Sequence, residues 1–227
     1  MKLLVFIQFD QDKINPVSLE SLQAAQEIAL QSGGEVSAII FNQTGAETLT
    51  KYDLSGILLI ENPQLNTYNP LSYIKTVEEI IKSESPDVMV IGHTYEARDW
   101  VPRLSARLNI PFISDCIGIN TDNELTLTRS VYQGKFNADM KTNENQYIVS
   151  FQSGAFKVDS LISGSTSINN ISVDLSSVEN TIRPGERFQE SETSVDLSQA
   201  DVIVAVGRGI GKEENLDLAK DLAKSLG

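Results

Sequence analysis

Three observations predict an α/β protein, a three-layer α/β/α sandwich around a mostly parallel sheet. Short apolar runs alternate with amphipathic helical stretches from residue 1 to about residue 119. Such alternation implies right-handed crossovers and strands covered on both faces. The pattern then changes to a period of two, the mark of an antiparallel hairpin extension. Finally, an apolar run at residues 202–206 enters a glycine-rich turn that leads into a helix, the first βα unit of a second nucleotide-binding domain.

The elements follow in order. Residues 3–9 (LLVFIQF) form a buried first strand, too short to span a membrane and without a small-residue cleavage site after it. Ser18 is placed to cap a helix whose Leu19, Leu22, Ile28 and Ala29 share one face, and Gly33-Gly34 stops it. Residues 36–41 make the next strand, followed by a short helical piece around 44–51 and a third strand at 56–60. Asn69-Pro70 starts a helix with Ile74, Val77, Ile80 and Ile81 facing inward, closed near Ser85-Pro86. A fourth strand at 88–91, a helix from roughly 97 to 108 and a fifth strand at 111–113 complete the alternating part. Residues 125–132, 135–140 and 146–151 read as three strands of an antiparallel meander, with Gln133-Gly134 as the first turn, and residues 171–175 as a return to the sheet.

Composition bounds the function. A chain of 227 residues holds one or two domains, and 41% hydrophobic residues support a packed core. The net charge of −13 disfavours nucleic-acid partners, because phosphate contacts need clustered Lys and Arg. The single cysteine, Cys116, excludes an internal disulfide and a cysteine-based zinc cluster, and fits a reducing compartment. With no targeting segment read at the N-terminus, the expected location is the cytoplasm. The polar stretch from about 181 to 198, with Pro184-Gly185, Glu190, Glu192 and Asp196, reads as a linker. The expected organisation is therefore a first domain at 1–183, a linker at 184–199 and the start of a second domain at 200–227.

Little of the usual catalytic chemistry is present. His93 follows a predicted strand, where open α/β sheets place ligands, yet a lone histidine is also a common structural hydrogen-bonding residue. No Gly-x-Ser-x-Gly elbow supplies a nucleophile. Cys116 lies beside Asp115, an unfavourable setting for a reactive thiolate. Neither catalytic nor metal-binding residues are assigned. The turn Gly207-x-Gly209-x-Gly211 departs from the full Gly-x-Gly-x-x-Gly fingerprint, and two readings stay open: a phosphate site, or a bare strand-to-helix turn. Glu213 and Glu214 already complement the helix dipole and favour the second; Arg208 and Lys212 suit an anionic or electron-rich ligand and favour the first.

Five segments resemble electron transfer flavoprotein alpha subunits. Val204-Ala-Val-Gly-Arg-Gly-Ile-Gly-Lys-Glu-Glu-Asn215 is similar to that family's entry into its flavin domain. Thr128-Arg-Ser-Val-Tyr-Gln-Gly-Lys-Phe-Asn-Ala138 resembles its Arg-x-x-Tyr-x-Gly-x-x-x-Ala hairpin, although Lys135-Phe136 stands where small or polar residues are usual. Trp100-Val-Pro-Arg-Leu-Ser-Ala-Arg-Leu108, Pro111-Phe-Ile-Ser-Asp-Cys116 and Gln152-Ser-Gly-Ala-Phe156 complete the likeness in matching order. The resemblance implies an electron carrier rather than a self-sufficient enzyme: a heterodimer with a beta subunit, one FAD, dehydrogenases as donors and a downstream acceptor. It implies that residues 1–183 are the N-terminal domain and that 200–227 begin a shortened FAD-binding domain. Of the flavin contacts, only Gly207, Arg208 and Gly209 carry over. A permanently charged guanidinium there stabilises the added electron density of a reduced flavin. The resemblance further implies that the 227-residue chain alone holds FAD weakly or not at all. The rival reading is a stand-alone adenine-nucleotide-binding α/β domain with a regulatory role, which lacks a phosphate loop at the early strand ends.

Overall fold

The computed structural model describes the chain except for residues 11, 122, 123, 180, 186–201 and 227. The elements, in chain order, are β1 (Lys2–Phe6), β2 (Phe9–Asp10), β3 (Lys13–Ile14), α1 (Pro16–Ser32), β4 (Glu35–Ile40), α2 (Gln43–Leu49) and β5 (Gly56–Leu59). They continue with α3 (Pro70–Glu84), β6 (Val88–Gly92), α4 (Tyr95–Leu108), β7 (Phe112–Asn120), β8 (Thr126–Val131), β9 (Phe136–Met140), β10 (Tyr147–Phe151), β11 (Ile168–Asn170) and α5 (Leu216–Leu226). The chain divides into two compact units, Met1–Pro184 and Gly185–Gly227. The expected linker at 184–199, with Glu190, Glu192 and Asp196, falls almost wholly outside the described residues.

The first unit is an α/β/α sandwich. Among the described residues its large sheet runs β11-β5-β4-β1-β6-β10-β7-β8-β9, parallel except for the β7-β8-β9 end. Strand residues alternate between two cores. Leu3, Val5 and Ile7 face Leu22, Ala25 and Ile28 of α1 and Ala46 and Leu49 of α2. Leu4 and Phe6 face Ile74, Val77 and Ile81 of α3 and Trp100, Val101 and Leu104 of α4. This period-two division is what a sheet buried on both faces requires. Trp100, 1% exposed, meets the Phe6 ring edge-on with centroids 5.1 Å apart.

Helix boundaries obey local chemistry. α1 is capped by Asn15, whose side chain accepts from Val17 N at 3.1 Å, with Pro16 in the first turn and Gly33 closing it at φ 66°. Ser18, expected as the cap, lies inside the helix, and its Oγ accepts from Gln8 N at 3.0 Å. Asn69 caps α3 as the Asn-Pro pair predicts, and Ser85 ends it at φ 48°.

Two strand expectations need correction. Residues 146–151 are no third meander strand. β10 inserts between β6 and β7 and pairs parallel with both. Its burial on both faces, not alternation, marks it as an interior parallel strand. The return to the sheet is β11, parallel to β5, rather than residues 171–175, which bury Val173 and Leu175 without a strand.

The second unit carries the expected helix, α5, preceded by short turns at Arg208–Ile210 and Glu213–Asn215. The apolar run at 202–206 forms no strand, with Val202 and Ile203 more than half exposed. A strand is held by its neighbours' backbone groups, and no described residues pair with this run.

Candidate functional site

The turn before α5 carries the sequence-predicted cofactor residues. Gly207 is extended, and its carbonyl accepts from Ile210 N at 3.0 Å. The Arg208 carbonyl accepts from Gly211 N at 3.3 Å, and Asn215 Nδ2 donates to the Ile210 carbonyl at 2.8 Å, tying the turn to the helix start. A Cβ added at Gly207 or Gly209 would meet nothing within 4 Å. Only Gly211 has a positive φ, 79°. Thus neither steric crowding nor a left-handed backbone demands glycine at 207 or 209. Space beside an exposed Arg208, with no hydrogen bond or ion pair to its guanidinium among the described residues, is what remains. A free cation between two unobstructed backbone positions is a donor set that fits an electron-rich or anionic group such as a flavin. Arg208, Gly207 and Gly209 could hold one edge of it. No described side chain in this unit is buried, so no described residue here encloses a ligand.

The first unit contains a second constellation, around His93, that sequence reasoning found only in part. His93 lies between β6 and α4, and its backbone N–H donates to the Phe151 carbonyl at 2.8 Å. β7 bulges between its pairings with Val149 and Phe151, so two residues stand opposite Ser150. At that bulge Asp115 adopts φ 60°. Its N–H donates to Ser150 Oγ at 3.1 Å. The same oxygen lies 2.9 Å from His93 Nδ1. Ser150 is fully buried, so its hydroxyl hydrogen is best used toward Nδ1, which puts the ring hydrogen on Nε2. Nε2 stands 3.8 Å from Asp115 Oδ1, beyond hydrogen-bond range. Burial holds the imidazole below its ordinary pKa; Asp115 opposes this, while Arg98 and Arg129 add to it. His93 is therefore a neutral N–H donor, fixed in orientation.

His93 and Asp115 line an open cavity of about 810 Å³, together with Arg98, Arg129 and Gln152. It opens at the carboxyl ends of β6 and β10, beside the bulge of β7, where open α/β sheets bind ligands. The signal available in the sequence was Ser150, a polar residue inside an otherwise apolar strand. Cys116 is fully buried, and burial pushes its thiol up to about 12, the opposite of a reactive thiolate. Glu20 is buried beside the loop after β10 and accepts from Gly154 N at 2.6 Å; burial raises its pKa despite that bond and those from the Ala155 and Phe156 backbone. Among the described residues no group of three or more His, Cys, Asp or Glu comes together, and no helix is long and apolar enough to cross a membrane.

Comparison with known proteins places the chain in a family. Residues 3–176 match the electron transfer flavoprotein domain, and residues 196–227 match the electron transfer flavoprotein FAD-binding domain. The chain is 30% identical to the electron transfer flavoprotein subunit alpha of Bacillus subtilis (strain 168), across 100% of this chain and 70% of that protein. It is 28% identical to protein FixB of Clostridium saccharobutylicum, across 98% of this chain and 69% of the relative. It is 24% identical to the lactate dehydrogenase (NAD(+),ferredoxin) subunit LctC of Acetobacterium woodii, across 99% of this chain and 55% of that one. The chain therefore belongs to the electron transfer flavoprotein alpha-subunit family, whose work is electron transfer.

Proposed function

We propose that this chain is the alpha half of a heterodimer that takes electrons from dehydrogenases through FAD and passes them to a downstream acceptor. Gly207, Arg208 and Gly209 hold the flavin's edge. The observation that carries this reading is the Arg208 guanidinium, unpaired among the described residues, between two glycines that the chain's own conformation does not require. FAD supplies the redox chemistry when bound. The chain contributes a fixed positive charge that favours the electron-rich form, and backbone positions bare enough for close approach. Arg208 moves no proton, because a guanidinium stays protonated.

The partner is a beta subunit of the same family. The hairpin β8-β9 supports such docking, since Tyr132 and Phe136 at its tip are 77% and 64% exposed and stack edge-on at 6.0 Å. Because no described side chain around the turn is buried, the 227-residue chain alone binds FAD weakly. The test is co-expression with a beta subunit, followed by size-exclusion chromatography and flavin quantitation. A one-to-one complex that is lost on replacing Tyr132 and Phe136 by serine supports the pairing. A chain that stays monomeric beside the beta subunit contradicts it, and stoichiometric FAD on the isolated chain contradicts the exposed-turn argument.

A further inference from the structure

We propose that the cavity at the carboxyl ends of β6 and β10, beside the bulge of β7, binds a phosphate-sized oxyanion, free or carried on a phosphate ester, through Arg129 and Arg98. The inference is independent of the flavin reading, which concerns the second unit.

The cations come first. Arg129 enters from β8, is half-buried, and its Nε is shielded from solvent with no hydrogen-bond partner. Arg98 stands in the first turns of α4 with its guanidinium 5.5 Å from the Tyr95 ring centroid. Among the described residues neither guanidinium has an ion pair or a hydrogen bond. The chain carries a net charge of −13, yet these two arginines line one cavity without a carboxylate partner among the described residues. For Arg129, whose Nε is shielded, an unpaired charge is costly unless a ligand completes it, whereas Arg98 is exposed and free to turn toward a ligand.

The neutral donors point the same way. His93 presents Nε2–H, because Ser150 occupies Nδ1. Both α1, of 17 residues, and α4, of 14, begin at this cavity, at Pro16-Val17 and Tyr95. Their first-turn N–H groups and positive dipole ends favour an anion. One lining group opposes it. Asp115 carries the carboxylate nearest His93, at 3.8 Å, and makes two cations against one anion the balance of the site. That opposition gives the proposal a variant of opposite sign.

The experiment is isothermal titration calorimetry on the 227-residue chain at low ionic strength, with inorganic phosphate in one arm and ribose 5-phosphate in the other. One saturable site is expected, and the tighter arm identifies the source of the oxyanion. Arg129→Gln should weaken binding about tenfold or more, the effect of losing a charge-assisted bond. Arg129→Lys should keep part of it, and Asp115→Asn should tighten it, asparagine tolerating the left-handed backbone at that position. Unliganded thermal melts check folding; if Arg129→Gln fails to fold, Arg98→Gln and Asp115→Asn carry the same test. No saturable heat with either probe at concentrations on the order of millimolar, far above a useful ligand's Kd, overturns the proposal. So do affinities that none of these substitutions moves.

Discussion

Replacing Ser150 by alanine tests the hydrogen-bond geometry around His93. Its hydroxyl satisfies two groups, the Asp115 backbone N–H at 3.1 Å and His93 Nδ1 at 2.9 Å, from a position with no solvent exposure. A buried polar group left unpaired costs about 1–3 kcal/mol. The Asp115 amide has no other partner in reach of a bulge held at φ 60°, whereas the partly exposed imidazole can recruit water. We therefore expect a loss of about 2–3 kcal/mol. For a unit of this size that lowers Tm by roughly 4–12 °C, at about 2–4 °C per kcal/mol. Urea unfolding followed by circular dichroism measures it, with an unchanged m-value as the check on two-state behaviour. Since His93 is the only histidine, its nitrogen NMR signals need no assignment. The wild type should show the hydrogen on Nε2 at neutral pH, and Ser150→Ala a mixture of tautomers. A stability change within about 0.5 kcal/mol, the range of ordinary surface substitutions, refutes the reasoning. So does a wild-type ring protonated on Nδ1.

The packing and charge of the first unit lead to further outcomes. At Gly164 an added Cβ would lie 2.5 Å from Asp53 Cα and 2.7 Å from Asp53 N, both backbone atoms. Gly164→Ala should therefore cost about 1–3 kcal/mol by overpacking the join between residues 161–166 and the β5 edge, while Gly209→Ala, which meets nothing, should leave the melting of the first unit alone. Cys116, its thiol held near 12 by burial, should resist alkylating reagents at neutral pH in the native protein and react fully once unfolded in urea. His93 has a folded pKa below its unfolded value of about 6.5, so the unfolded chain binds more protons in acid. Its contribution is complete above about pH 6.5 and disappears as pH falls toward the folded value. Stability measured from pH 7 to 5 should consequently fall less in His93→Gln than in the wild type; an equal or greater fall refutes the assigned direction.

Much of the first unit was legible because its signals are local. Asn69-Pro70 announces a helix start through a side-chain cap and a fixed φ, and the Asn69 carbonyl oxygen of the side chain does accept from Leu71 N. The alternation of residues 125–140 likewise yields the β8-β9 hairpin. What escaped depends on partners distant in sequence. Residues 146–151 follow a hairpin and read as its continuation, but the place of β10 between β6 and β7 is decided by two flanking strands and two covering helices. Arg129 reads as an ordinary outward residue of an alternating strand; only the bulge in β7 and the crossover of β10 bring it beside His93. Ser18 and Asn15 are both good caps by type, and the Asn-Pro order at 15–16 was the deciding signal. At the other end, residues 202–206 have the composition of a strand and lack a described neighbour to pair with.

The account rests most heavily on the Arg208 guanidinium as a flavin contact. Redox titration of the flavin-loaded heterodimer, comparing Arg208 with Arg208→Ala and Arg208→Lys, addresses it without relying on turnover. Losing the charge should lower the flavin's reduction potential by some tens of millivolts, about 30 mV corresponding to 1.4 kcal/mol for two electrons, with the lysine variant in between. A potential unmoved by either substitution, in a complex that still holds its FAD, contradicts the assignment.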